Sequence, residues 1–228
     1  MARMKRPVGD LVSGKIGNVV FFTRKDQSFV RSSPQRKKTE WTPEQQLHRK
    51  RFSQAVGLWR KLKNGMVPQI WNLGSKQMNG YALFMKANMP AFGVDGTLLD
   101  PKLLQLSVGK LSLPQKLEAK KGEGEGGGEG EGLTIEVSWQ NDHLLSAVRL
   151  QDELMAISSV DGQYAEVMAT GIKREAKGGL FELPAFPMPQ APGPMHLYLF
   201  FGSEKRNAYT NSACFEVTRP GPAIFNRG

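Results

Sequence analysis

Apolar and polar positions follow three successive patterns along the chain, and each predicts a different kind of element. The first is β-branched and aromatic. Gly17-Asn18-Val19-Val20-Phe21-Phe22-Thr23-Arg24 reads as a strand, Lys25-Asp26-Gln27 as a turn and Ser28-Phe29-Val30-Arg31 as a short return strand. An isolated hairpin is marginal in water, so this one must pack on something else. The glycines of Ser13-Gly14-Lys15-Ile16-Gly17-Asn18 permit a tight turn into it, with Lys15 exposed at its mouth. Residues 33–38 contain no apolar side chain beyond Pro34 and read as an extended basic connection.

The second pattern is helical. Thr42-Pro43-Glu44-Gln45 supplies an N-cap hydroxyl, a proline at the first helical position and a Gln at the capping-box position. The helix it starts should run to about Lys63, with Phe52, Ala55, Val56, Trp59 and Leu62 forming one apolar stripe. At 100° per residue, Arg49, Lys50, Arg60 and Lys61 gather on the flank away from that stripe. Asn64-Gly65 ends the helix. A shorter one is expected from Val67 to Leu73, and another from an Asn79 cap to about Met89, with Ile70, Trp71, Leu73, Tyr81 and Phe84 in the core.

The third pattern, from about residue 97, is short and alternating. Strands are expected at 103–108, 133–139, 153–160, 164–170, 180–183, 195–201 and 212–217, separated by proline and glycine clusters. Residues 122–132 are only Gly and Glu, which predicts a flexible, solvated loop with no use as a phosphate cradle, since its glutamates repel phosphate. The expected class is α+β. A hairpin-and-helix module spans 1–96, and an immunoglobulin- or fibronectin-like β-sandwich spans 97–228.

Charge divides the chain unevenly. The net charge is +10, yet residues 1–64 hold 16 Lys and Arg against 4 Asp and Glu, while the other 164 residues hold 15 against 17. The excess therefore lies wholly in the first part, which points to a polyanion such as nucleic acid or to an acidic protein surface. Lys15, Arg24, Arg31, Arg36, Lys37, Lys38, Arg49, Lys50, Arg60 and Lys61 are the candidate contacts. Phe21, Phe22 and Phe29 read as the buried face of the hairpin, with base stacking as the alternative.

Hydrophobic content of 39% is near the globular average, and no apolar run is long enough to span a bilayer. The first ten residues, MARMKRPVGD, lack the apolar core of a secretory signal, and Cys214 is the single cysteine, so a cytoplasmic protein is expected. Motifs for catalysis are weak. His48, His143 and His196 have no metal-binding spacing, and neither a metal nor a cofactor is expected. Cys214 alternates with Phe215 in the last strand and reads as a small apolar group. Adjacent Asp152 and Glu153 point to opposite faces of a strand and cannot share an acid-base site. Gly14-Lys15 lacks the hydroxyl residue and the helix that must follow in a phosphate loop.

Three blocks carry a resemblance: Val12-Ser13-Gly14-Lys15-Ile16-Gly17-Asn18-Val19-Val20, then Val30-Arg31-Ser32-Ser33-Pro34, then Thr42-Pro43-Glu44-Gln45-Gln46-Leu47 with Arg51-Phe52. Asn79-Gly80-Tyr81 and Asn211-Ser212-Ala213-Cys214 add to it. The chain resembles, over nearly its whole length, a widespread Bacteroidetes family of unknown function that opens on this basic block. The Gly/Glu run at 122–132 departs from that family's pattern and looks like an elaborated loop. The resemblance implies the same hairpin-and-helix module followed by an immunoglobulin-like domain, and it implies no catalytic residues. The expected function is a non-enzymatic binding protein. The alternative is a structural or assembly protein of a larger complex, phage-like or envelope-associated.

Overall fold

The computed structural model describes residues 2–3, 13–24, 27–34, 40–74, 78–122, 133–184 and 194–218. The expected basic connection at 36–38 and nearly all of the Gly/Glu loop lie outside the described residues. Two compact units divide at Thr42 and Pro43.

In the first unit, Met1–Thr42, β1 (Ala2–Arg3), β2 (Gly14–Ile16), β3 (Val19–Arg24) and β4 (Gln27–Ser32) form an antiparallel sheet in the order β1-β4-β3-β2. Gly17 and Asn18 link β2 to β3, and Gly17 takes φ +58 at the first turn position. That conformation is open to glycine and matches the twist of a two-residue hairpin loop. Gln27 pairs with Arg24 and belongs to the strand, where the sequence suggested a turn.

The second unit, Pro43–Gly228, is layered. Helix α1 (Pro43–Leu62), α2 (Val67–Leu73) and α3 (Gly80–Asn88) keep the expected bounds to within a residue or so. Asn79 caps α3 by accepting from the Ala82 N–H at 2.7 Å, as the sequence indicates. Strands β5 (Gln115–Lys121), β6 (Leu133–Gln140) and β10 (Gly178–Leu183) form a three-stranded sheet in the order β10-β6-β5. A short helix, α4 (Ala147–Leu150), leads into β7 (Glu153–Val160). The larger sheet joins β7 to β8 (Gln163–Tyr164), β9 (Met168–Lys173), β11 (Pro194–Ser203), β12 (Ala208–Tyr209) and β13 (Ala213–Thr218). All of these pairings are antiparallel.

The larger sheet is buried on both faces. Leu154, Ala156, Leu197, Leu199 and Phe201 meet Ile135, Val137, Trp139 and Phe181 of the smaller sheet in a sandwich core. Met155, Ile157, Tyr198 and Phe200 face the other way and pack with Ala55, Leu58, Leu62, Ile70, Trp71 and Phe84 of the helices. The helices therefore share a core with the sheet, and the compact units do not divide at residue 96 as expected. The physical reason is burial: without the helices, a row of large apolar side chains on β7 and β11 would face water.

Three local expectations are corrected. Residues 103–108 form no strand: a single 3₁₀ turn at Pro101–Leu103 precedes irregular chain. Side chains hold that chain, because Ser212 Oγ accepts from the N–H groups of Leu106 and Ser107, and the Trp71 indole donates to the Leu106 carbonyl. The single strand expected at 164–170 is two short ones, β8 and β9. β5 escapes the apolar pattern because Gln115-Lys116-Leu117-Glu118-Ala119-Lys120-Lys121 is an edge strand rich in lysine, as edges commonly are.

Candidate functional site

In the first unit, register decides which side chains share a face. Lys15, Val20 and Arg31 form one cross-strand row, and Phe22 pairs with Phe29 in the next row of the same face. Phe22 and Phe29 stack with ring centroids 5.4 Å apart and 17° between planes, and the Arg31 guanidinium lies 5.7 Å from the Phe22 centroid. Arg24 is placed at the end of β3, opposite Gln27. Phe21 pairs with Val30 on the opposite face, beside Val19 and Ile16. The reading of all three phenylalanines as one buried face is therefore corrected. Residues 21 and 22 are adjacent on a strand and must point apart. No described residue of this unit is buried.

In the second unit, the buried arc of α1 is Ala55, Leu58 and Leu62, with Val56 and Trp59 at its margin. Phe52, expected in the stripe, is 40% exposed. The arc is displaced toward Leu58 and away from Phe52: at 100° per residue Leu62 lies between Ala55 and Leu58, and Phe52 falls about 60° beyond Ala55. Arg49 and Arg60 lie opposite that arc, Lys50 and Lys61 on its flank beyond Leu58, and all four are exposed. Lys61 Nζ also donates to the Gly162 carbonyl at 2.6 Å, tying α1 to the β7–β8 turn. Arg51, between the two groups, turns inward and donates from Nε to the Phe92 carbonyl at 2.7 Å. The structure thus assembles two basic groups, one on a sheet face and one on a helix face.

A charged cluster absent from the sequence reading lies at the start of β7. Asp152 is fully buried and accepts from Arg206 Nη2, with Arg149 Nη1 3.5 Å from its other oxygen. Arg174, 1% exposed, gives its N–H to the Asp152 carbonyl. Its side chain donates to Asn141 Oδ1 and the Ser112 carbonyl, and its guanidinium lies 5.5 Å from the Phe201 centroid. Burial pushes the Arg174 pKa down, and the Asp152 charge opposes that shift. Four segments distant in sequence meet here, so no local motif could have shown it. A cleft of about 680 Å³ nearby is lined by Gln115, Trp139, Asn141, Asp142, His143 and Lys177. Asp142 accepts there from Gln115 at 2.7 Å. Among the described residues, no group of three or more His, Cys, Asp or Glu side chains is arranged to hold a metal.

Cys214 on β13 pairs across the strands with Tyr198 of β11, whose hydroxyl donates to the Pro101 carbonyl at 3.0 Å. Burial pushes the Cys214 thiol up from its ordinary 9.0 to about 11, which the Tyr198 hydrogen bond partly counters. A protonated thiol is a poor nucleophile at neutral pH. A raised thiol pKa means that the unfolded chain loses its proton first as pH rises. Stability should therefore be complete below pH 9.0 and fall between 9.0 and about 11, and burial of Tyr198 adds to the fall in the same direction. Urea unfolding across that range should show the decline, and Cys214→Ala should make it shallower. A pH-independent midpoint would contradict the burial of the thiol.

No described helix is long and apolar enough to cross a membrane. Compared with protein-family models, curated proteins and solved structures, the chain has no significant match.

Proposed function

We propose that the protein is a non-enzymatic binding protein whose basic N-terminal part contacts nucleic acid or another polyanion. The observation that carries this reading is the exposure of Arg49, Lys50, Arg60 and Lys61 on one side of α1, away from its buried residues Ala55, Leu58 and Leu62. The uneven charge supports it: residues 1–42 hold ten Lys and Arg against three Asp and Glu. Binding should weaken steeply with salt, because each neutralised phosphate releases counterions. In a filter-binding assay, the slope of log affinity against log salt should shrink by about 0.9 for each phosphate-contacting residue changed to Ala. Lys61→Ala should have the smallest effect of the four, since its ammonium is shared with the Gly162 carbonyl. No retention of nucleic acid at low salt would overturn the proposal.

The same proposal includes membership of the Bacteroidetes family that the sequence resembles, a cytoplasmic location and an immunoglobulin- or fibronectin-type sandwich. The strand orders β5-β6-β10 and, within the six-stranded sheet, β9-β7-β11-β13 support the sandwich type, since both runs are antiparallel and pack face to face.

The second reading, a structural or assembly protein, is favoured by the face of the first unit that carries Phe21 and Val30. Ile16 is 63% and Val19 is 37% exposed there. Light scattering after nuclease treatment separates the two readings: assemblies that survive the nuclease favour the second.

A further inference from the structure

We propose that the Phe22–Phe29 face of β3 and β4 is a stacking platform for single-stranded nucleic acid; this rests on the polyanion reading and narrows it to one substrate class. Both rings are half-buried, on a sheet with no buried described residue, so they are not the interior of a folded core. They lie nearly parallel, 17° apart, which leaves a layered stack and not the edge-to-face packing seen at Trp71–Phe84 and Trp139–Phe201. Arg31 extends the stack over Phe22, and Lys15 stands in the same cross-strand row as Arg31. The face therefore combines aromatic surface with cations one row away.

That combination selects among polyanions. Every base has a π-face, so a ring platform binds single strands with little regard to sequence, while neighbouring cations take the phosphates. A duplex keeps its bases stacked internally and offers this face only phosphates. Heparin offers charge and no bases. The two phenylalanines should then matter for the single strand alone, and Arg31 and Lys15 for all three ligands. The excess of Lys and Arg in residues 1–42 supplies the matching charge.

The test uses the full chain and fluorescence anisotropy. The probes are labelled oligothymidine and oligouridine of about 15 nucleotides, a duplex of the same length, and heparin as competitor. The expected result is single-strand affinity at least tenfold above duplex affinity at equal salt. Tighter oligouridine binding would assign RNA as the source, and tighter oligothymidine binding DNA. Phe22→Leu with Phe29→Leu keeps apolar bulk on the sheet but removes both π-faces. It should lose about tenfold or more for the single strand while leaving heparin and duplex binding unchanged. Phe29→Tyr, which keeps the ring, should retain single-strand binding. Equal affinity of the wild-type chain for single strand and duplex would overturn the stacking platform, as would a leucine variant that binds single strands normally. A leucine variant that also loses heparin would overturn it too, since the rings would then be serving the sheet. Failure of the wild-type chain to bind any of the probes would instead overturn the polyanion reading itself.

Discussion

Replacing Asp152 with Ala is expected to destabilise the Pro43–Gly228 unit by about 3–5 kcal/mol, the scale on which removing one partner of a buried ion cluster acts. Asp152 is the buried anion among three arginines, Arg149, Arg174 and Arg206. Arg149 and Arg206 are each about a third exposed and can turn toward water once their partner is gone. Arg174 cannot. It is buried under Phe201, its side-chain hydrogen-bond partners are the neutral Asn141 side chain and the Ser112 carbonyl, and its Nη2 has no hydrogen-bond partner. The penalty should therefore fall mainly on Arg174. Domains of this kind are stable by only about 5–15 kcal/mol, so the change is a large fraction of the whole. For a unit of this size the melting temperature should fall by about 10 °C. The double variant Asp152→Ala with Arg174→Met should recover part of the loss, because the uncompensated charge goes with the arginine. Strict additivity of the two changes would show that Asp152 acts through Arg149 and Arg206 instead.

The second large effect is expected at Trp71. Trp71→Ala should cost about 3–5 kcal/mol as a large core truncation. Trp71 is fully buried, its ring meets Phe84 edge-on at 5.1 Å, and Phe84 in turn meets Trp59 at 4.9 Å. Its indole N–H also holds the Leu106 carbonyl at 3.1 Å, on chain that no sheet ladder supports. Trp71→Phe keeps most of the packing and loses that hydrogen bond, so it should cost about 1–2 kcal/mol. The form of the transition matters as much as its midpoint. The helices cover Met155, Ile157, Tyr198 and Phe200 of the larger sheet, so helices and sandwich should melt together in one step. Two separated transitions would show that the helices form an independent module ending near residue 96.

Much of the local structure was legible in residue order. The bounds of α1, α2 and α3 follow from Pro43, Asn64-Gly65 and the Asn79 cap, because capping is satisfied within a few residues of chain. β6 follows from its alternation, and β7, β11 and β13 from short apolar runs bounded by turn residues, signals that are equally local. The Leu197-Tyr198-Leu199-Phe200-Phe201 run carries a further signal. It is continuous where a half-buried strand would alternate, which is the mark of a strand covered on both faces. A strand covered on both faces needs a second layer, and the helices supply it, which is why they share a core with the sheet.

The candidate site divides along the same line. Chemical character was set by the sequence alone: the excess of Lys and Arg in residues 1–64, the basic flank of α1 and the aromatic strands are properties of residue type and spacing. Tertiary structure decided which of those residues are spoken for. It shifted the buried arc of α1 toward Leu58 and left Phe52 at the surface, because the helix docks where the whole layer packs best. It separated Phe21 from Phe22 and Phe29 by fixing the register of β3 against β4. It also brought Asp152 to Arg149, Arg174 and Arg206, since a buried charge finds its partners through space and leaves no period in the chain to read.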